Sequence, residues 1–183
     1  PNNFLITGLP GSGKTSVIKE AVEILRGRGL KPGGLYCPEI RERGQRLGFK
    51  MVDLMTGEER ILAHVDQLSG PQVSRYRVNV DNVDAMSEAT IGRALREADF
   101  MVIDEIAPME IYSEGFRRAV IAALDSSKPL LAVIHQRTMT GFIGAVKARQ
   151  DVSLFEVTPG NRSKLPSQLA ELVSKLEGVK FIT

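Results

Sequence analysis

The chain has 183 residues, 43% of them hydrophobic and 25% charged, and its 24 lysines and arginines against 22 aspartates and glutamates give a net charge of +2. This length favours one domain over residues 1–183. So slight a charge does not by itself argue for a nucleic-acid or a membrane partner, and we expect no membrane partner. The single cysteine excludes an internal disulfide. Because there is also no apolar run of about 18 residues, we expect a cytoplasmic protein, and we expect a monomer.

The first predicted strand, residues 3–7, leads into a phosphate-binding pattern. Residues 8–15, GLPGSGKT, match G-x-x-x-x-G-K-[ST]. Glycines in this pattern let successive N–H groups point at an anion, the lysine adds positive charge, and the threonine hydroxyl binds magnesium. Apolar residues at helical spacing follow over 17–25. The predicted nucleotide-binding residues of this loop are Gly8, Leu9, Pro10, Gly11, Ser12, Gly13, Lys14, Thr15 and Ser16.

Glycines and a proline over 26–34 predict the end of this helix and a turn. Residues 35–80 then resemble three or four short strands, with alternating polarity at 47–52 and 76–80. They predict an antiparallel or mixed region inserted at the edge of the main sheet. An alternative function is a nucleotide-dependent RNA-binding or switch module, in which the arginines of this region would form the partner surface. These arginines are Arg41, Arg43, Arg46, Arg60, Arg75 and Arg77.

Strands and helices alternate from Asp81, which is a candidate helix start. Continuous apolar runs predict strands buried on both faces, and apolar residues at helical spacing predict the helices between them. The strands are 100–103, 130–134, 152–157 and a possible edge strand at 179–182; the helices are centred on 91–98, 116–124, 141–149 and 165–176. The expected fold is therefore α/β, with three layers as in P-loop proteins: a mostly parallel sheet, helices on both faces, and a site at the carboxyl ends of the strands.

Two acids follow the buried strand at 100–103. Asp104 is predicted to place Mg²⁺ together with Thr15, and Glu105 to hold and deprotonate an attacking water. The alternative for this pair is two surface acids at a strand end. Glu110 is close enough in sequence to line the same pocket, or it stabilises a helix N-terminus.

The chain resembles the THEP1 nucleoside-triphosphatase family over nearly its whole length. The motifs that carry the resemblance are the loop at 8–15, RLGF at 46–49, DEIAPME at 104–110 and TPGNR at 158–162. It implies a small P-loop protein that hydrolyses ATP, GTP, CTP and UTP to diphosphate and phosphate with Mg²⁺. The family pattern usually has glycine where this chain has Ala107.

An arginine supplied by the chain itself would stabilise charge in the transition state. Arg137 and Arg149 flank the segment that follows the strand at 130–134, and Arg137 is the favoured one. The other candidates are Arg41, Arg43 and Arg46 of the inserted region. His135 ends that strand and is either a phosphate sensor or structural.

Asn161 and Arg162 are predicted to contact the base without strong selectivity, and the guanine signature N-K-x-D is absent.

These residues predict a magnesium-dependent nucleoside triphosphatase. Lys14, Glu105 and Arg137 are the predicted catalytic residues, and Thr15 and Asp104 the metal ligands. The alternative enzyme is a P-loop kinase that passes the γ-phosphate to a nucleotide or a nucleic-acid end.

Overall fold

The computed structural model describes residues 2–180, which form one ten-stranded mixed sheet with helices packed against it. The strands are β1 (Asn3–Thr7), β2 (Pro32–Tyr36), β3 (Glu39–Glu42), β4 (Gln45–Asp53), β5 (Glu59–His64), β6 (Gln72–Val73), β7 (Tyr76–Val78), β8 (Phe100–Ile106), β9 (Leu130–Ile134) and β10 (Val152–Glu156). The helices are α1 (Lys14–Gly27), α2 (Val80–Glu97), α3 (Glu114–Asp125), α4 (Gly141–Lys147) and α5 (Leu165–Lys180), with a 3₁₀ helix at Glu110–Tyr112.

The sheet has a parallel half and an antiparallel half. The strands run in the order β10-β1-β9-β8-β2-β4-β5-β7-β6, and β3 pairs with β4. The first five strands are parallel to one another, whereas β3 to β7, which we call the inserted strands, pair antiparallel. The parallel strands therefore end at one common edge, which carries the loops after β1, β8, β9 and β10.

Helices cover both faces of the parallel half. Phe4 and Ile6 of β1 pack with α1 and α5, whereas Leu5 between them packs with the residues of α2, α3 and α4. Since alternate residues of a strand point to opposite faces, the two cores lie on opposite sides of the sheet. This arrangement confirms the three-layer α/β fold. Among residues 2–180, no helix has the length and apolar character needed to span a membrane.

The predicted helix end and turn are confirmed, because α1 ends at Gly27 and a turn follows at 28–29, but residues 32–34 belong to strand β2, which the composition did not predict. A β-carbon on Gly34 (φ +124°) would lie 1.9 Å from the Val102 carbonyl oxygen, and one on Gly33 would lie 2.7 Å from Ala94 Cβ. The glycines are therefore there because β2 lies very close to β8 and α2. As a result β2 belongs to the parallel half, and the inserted strands begin only at β3.

Three further boundaries differ from the sequence expectation. Helix α2 begins earlier than Asp81, because the Asn79 side chain accepts a hydrogen bond from the Asn82 N–H (3.0 Å) and caps the helix. The alternation along β4 is interrupted by an irregularity between Phe49 and Lys50. Residues 179 and 180 continue α5 instead of starting an edge strand, and the rest of that expected strand lies outside the described residues.

Candidate active site

The phosphate-binding loop joins β1 to α1. Gly13, the last residue before the helix, has φ +95°, a conformation that glycine adopts at little cost. The Lys14 ammonium donates to the carbonyl oxygens of Gly8 (2.7 Å) and Leu9 (3.3 Å). A lysine held over the loop backbone, at the positive end of a helix dipole, makes this segment a site for an anion.

Thr15 and Asp104 come together although they lie far apart in sequence. Thr15 is in the first turn of α1 and Asp104 is near the end of β8. Burial raises the pKa of Asp104, while a hydrogen bond from the Thr15 side chain and the charges of Lys19 and Lys14 lower it. Mg²⁺ takes oxygen ligands, uses one or two protein groups and keeps waters and phosphate oxygens around them. The hydroxyl and carboxylate present therefore fit this ion.

Glu105 is half-buried beside Asp104. Its burial and the Asp104 charge raise the pKa of Glu105, and Lys14 opposes them. It lines a cavity of about 230 Å³ together with Glu110 and His135. Glu105 and Lys14 are thus close enough for their charges to influence each other.

Glu110 lines the same cavity as Glu105, which was one of the two expectations for it. It is only 3% exposed, and its Oε2 atom has no hydrogen-bond partner within residues 2–180. Burial and the neighbouring Glu105 raise the pKa of Glu110 well above its usual range. This carboxyl group is therefore protonated over a wider pH range than an exposed glutamate.

His135 follows β9, which lies between β1, the strand before the phosphate-binding loop, and β8, the strand that carries Glu105. Its Nδ1 lies 2.9 Å from the Thr138 hydroxyl oxygen. Burial lowers the pKa of His135, and the positive charges of Lys147, Lys14 and Arg137 lower it further. The ring is therefore neutral near pH 7 and available for hydrogen bonds at the edge of the site.

Arg137 and Arg149 lie in different parts of the fold. Arg137 is exposed in the loop after β9 and has no ion-pair partner in the described part of the chain. Arg149 instead pairs with Asp125 (2.6 Å) and Asp151 (2.7 Å). Asp151 directly precedes β10, so Arg149 belongs to the amino end of the strands, opposite the site. This geometry favours Arg137 over Arg149.

Several arginines of the inserted strands are already paired with nearby groups. Arg41 and Arg46 both contact Glu39, at 2.7 and 3.0 Å, and Arg46 also donates to the Tyr76 hydroxyl (2.8 Å). Arg60 pairs with a glutamate as well. These contacts reduce the positive charge that the inserted strands present to a nucleic acid.

Asn161 and Arg162 have different surroundings. The Asn161 side chain accepts from the Thr158 N–H (2.8 Å) and donates to the Glu156 carbonyl oxygen (2.7 Å), so it shapes its own loop. Arg162 lies on the phosphate-binding loop, where a β-carbon on Gly13 would be 2.9 Å from Arg162 Cδ. A cavity of about 440 Å³ adjoins Arg162 and Gly13. Of the two, only Arg162 lies against the phosphate-binding loop with its side chain.

Sequence reasoning missed some of the groups around the reacting position. Phe49 and Val73 bring an apolar wall from the inserted strands to the Glu105 cavity. Phe49 lies in the RLGF segment and could have been found through it, but nothing in the sequence marks Val73, which lies on a two-residue strand. Tyr36 adjoins Thr15 and Asp104 in another cavity, of about 420 Å³, and burial next to Asp104 raises its pKa to about 12.

Comparison with known proteins gives one consistent answer. The sequence model of the NTPase_1 family, described as NTPase, matches residues 3–170. The chain is 48% identical to nucleoside-triphosphatase THEP1 of Thermofilum pendens, covering 95% of this chain and 96% of that protein, and 41% identical to the Methanopyrus kandleri protein of the same name, covering 94% and 96%.

Solved structures agree with the sequence matches. The crystal structure of THEP1 from the hyperthermophile Aquifex aeolicus superposes with a TM-score of 0.82 at 29% identity, over 93% of this chain and 98% of that one. The solution structure of a human cancer-related nucleoside triphosphatase gives 0.80 at 30% identity, over 96% and 98%. With the phosphate-binding loop, the Thr15–Asp104 pair and Glu105 at one edge of the sheet, the chain belongs to the NTPase_1 family, together with the THEP1 nucleoside-triphosphatases.

Proposed function

We propose that this protein hydrolyses nucleoside triphosphates to diphosphates and phosphate with Mg²⁺, and that Glu105 activates the attacking water. The observation that carries the proposal is the meeting of Lys14, the Thr15–Asp104 pair and Glu105 at one edge of the sheet. The family supports nucleoside-triphosphatase activity; the metal, the role of Glu105 and the range of bases are our proposals.

Lys14 and Glu105 have separate roles in this mechanism. The Lys14 ammonium exchanges its carbonyl partners Gly8 and Leu9 for phosphate oxygens and stabilises the charge that grows there. Glu105 accepts a proton from water, and its raised pKa makes it a better base than an exposed glutamate. Thr15 and Asp104 would hold Mg²⁺, which would supply neutralising charge to the phosphate oxygens when bound.

We infer that the enzyme accepts several bases, with ATP, GTP, CTP and UTP as substrates. Arg162 beside the phosphate-binding loop offers a flat guanidinium that stacks on any base. Asn161, whose carboxamide is engaged in its own loop, contributes the shape of that loop rather than a base-specific contact. Comparable turnover of the four nucleotides would support this; a strong preference for one would contradict it.

Phosphate release from ATP and GTP, measured without any acceptor, tests the hydrolysis. Lys14→Ala should lower nucleotide affinity by roughly tenfold or more, since charge-assisted hydrogen bonds contribute about 1.5–3 kcal/mol each. Glu105→Gln should bind nucleotide normally and lose about two to four orders of magnitude in kcat. Lys31→Ala, an exposed change next to β2 at the amino end of the parallel strands, is the control for Lys14.

Equal turnover in Glu105→Gln and wild type would remove Glu105 from the mechanism. Release of no phosphate by the wild-type protein, with Mg²⁺ and any of the four nucleotides, would overturn the hydrolysis itself.

A further inference from the structure

The cavity beside Glu105 is larger and more apolar than hydrolysis requires. Its volume is about 230 Å³, whereas a water molecule occupies about 30 Å³ of liquid. One side is formed by the loop at 107–110 and the other by residues from β4, β6 and the end of β2. Its apolar lining consists of Cys37, Phe49, Val73, Ala107, Pro108 and Met109.

The polar groups of this cavity are few. Glu105 and His135 belong to the reacting edge of the sheet, and Glu110 is the remaining one. Apolar walls with a small number of polar groups are typical of sites for small molecules. The cavity therefore suits a compound with an apolar body better than it suits a cluster of waters.

Glu110 indicates which polar group this compound carries. Its side chain is buried, and Oε2 has no hydrogen-bond partner among residues 2–180. Leaving a buried polar atom unpaired costs about 1–3 kcal/mol, so a ligand hydroxyl that turns this carboxyl group toward the cavity and pairs with it gains affinity. A hydroxyl group both donates and accepts, and so it pairs with Glu110 whether that group is protonated or ionised.

We propose that this cavity is an acceptor site for a small diol with an apolar body, which competes with water for the γ-phosphoryl group. One hydroxyl lies at Glu105, the second pairs with Glu110, and the carbon chain contacts Phe49, Val73 and Met109. This inference rests on the proposed function, because it uses the same phosphate-binding loop and the same Glu105.

The transfer step balances without any further reactant. The hydroxyl oxygen forms a bond to the γ-phosphorus, and the bond from that phosphorus to the β,γ-bridging oxygen breaks. The bridging oxygen leaves with the electron pair as part of the nucleoside diphosphate, and the hydroxyl proton passes to Glu105. The products are a phosphate monoester and a nucleoside diphosphate instead of phosphate and the diphosphate.

The test uses two probes of equal carbon number, a butanediol with terminal hydroxyls and butanol. Each is added at millimolar concentration with ATP and Mg²⁺, and phosphorus NMR follows diphosphate, phosphate and monoester. At about 1 mM probe, water outnumbers the probe roughly 50,000-fold, so measurable ester requires a bound alcohol. We expect ester from the diol and about tenfold less from butanol, because only the diol also pairs with Glu110.

Two variants and a control locate the acceptor. Val73→Phe, which fills the cavity, should lower the ratio of ester to phosphate by roughly tenfold or more. Glu110→Leu should make the two probes equally effective. Leu68→Phe, at a position that is 96% exposed, should keep the wild-type ratio. Because the readout is a product ratio, partial loss of folded protein does not change it.

The outcomes separate this inference from the proposed function. Phosphate release with no ester from either probe overturns the acceptor site and leaves hydrolysis standing. Ester that persists at the same ratio in Val73→Phe also overturns it. Ester from the diol by a protein that releases no phosphate alone supports the acceptor site and overturns hydrolysis as the activity.

Discussion

At the scale of single residues, the buried Glu110 carboxyl group makes stability depend on pH. Its pKa is raised in the folded state, mainly by burial, from an ordinary value of 4.5. The folded protein therefore holds this proton at pH values where the unfolded chain has released it. The resulting stabilisation is complete below the unfolded pKa and is lost as the pH rises through the folded pKa.

Urea unfolding of wild type and Glu110→Gln between pH ~5 and ~8 measures this effect. Wild type should lose stability relative to the variant as the pH rises, by about 1.4 kcal/mol for each pH unit over which only the folded state is protonated. Glu114→Gln, at an exposed position paired with Arg118, is the control. Parallel curves for wild type and Glu110→Gln would show that Glu110 does not carry the proton.

Replacing Arg137 with alanine should lower kcat, whereas replacing Arg149 with alanine should lower the stability of the fold. Arg137 is exposed near His135 and has no ion-pair partner within residues 2–180. If it contacts the γ-phosphate, Arg137→Ala should lower kcat by about two to three orders of magnitude and leave the unfolding midpoint unchanged. Arg149 is paired with two aspartates, so Arg149→Ala should lower the free energy of unfolding by about 1–3 kcal/mol with little change in kcat. A normal kcat in Arg137→Ala would assign the charge stabilisation to other groups.

At the scale of elements, the packing of β2 is the most constrained. Gly34→Ala would place a methyl group 1.9 Å from the Val102 carbonyl oxygen, whereas Gly57, also at positive φ (+77°), has open space around its β-carbon position. Gly57→Ala should cost about 1–2 kcal/mol for its backbone conformation alone. Gly34→Ala should cost at least about 3 kcal/mol because β2 and β8 must also separate. Urea unfolding compares the two, and equal losses would contradict the role given to close approach.

Elements whose signals are local could be predicted from sequence. β1, α1, β9 and the order of strands and helices after residue 80 follow from apolar periodicity and from the GLPGSGKT pattern. β2 could not, because glycines that allow close approach look the same in sequence as glycines that form a turn. The cap of α2 at Asn79 was hidden for a similar reason, since Asn79 continued an apparent strand alternation.

At the scale of the whole molecule, one continuous sheet joins the parallel half to the inserted strands. We therefore propose that residues 1–183 unfold as one domain. Fluorine NMR of fluorotyrosine-labelled protein tests this, since Tyr36 ends β2, Tyr76 lies in β7 and the chain has only 3 tyrosines. Both signals should lose their native positions at the same urea concentration. Earlier loss of the Tyr76 signal would show that the inserted strands unfold separately.

The site was predictable where one segment carries its chemistry. Lys14, Thr15, Asp104 and Glu105 each lie in a pattern whose meaning is set by a few adjacent residues. The cavity beside Glu105 is different, because Cys37, Val73 and Glu110 reach it from three distant parts of the chain. Only the pairing of the inserted strands brings these parts together, and no local pattern records that pairing.

The contact between Arg162 and Gly13 has a consequence for how the protein tolerates change. Glycine is favoured at position 13 by its backbone conformation, and any side chain there would also displace the Arg162 side chain above it. A smaller residue at position 162 would make room for a side chain at position 13, but the positive φ would still disfavour that side chain. We therefore expect substitutions in the loop that carries Arg162 and in the phosphate-binding loop to depend on one another.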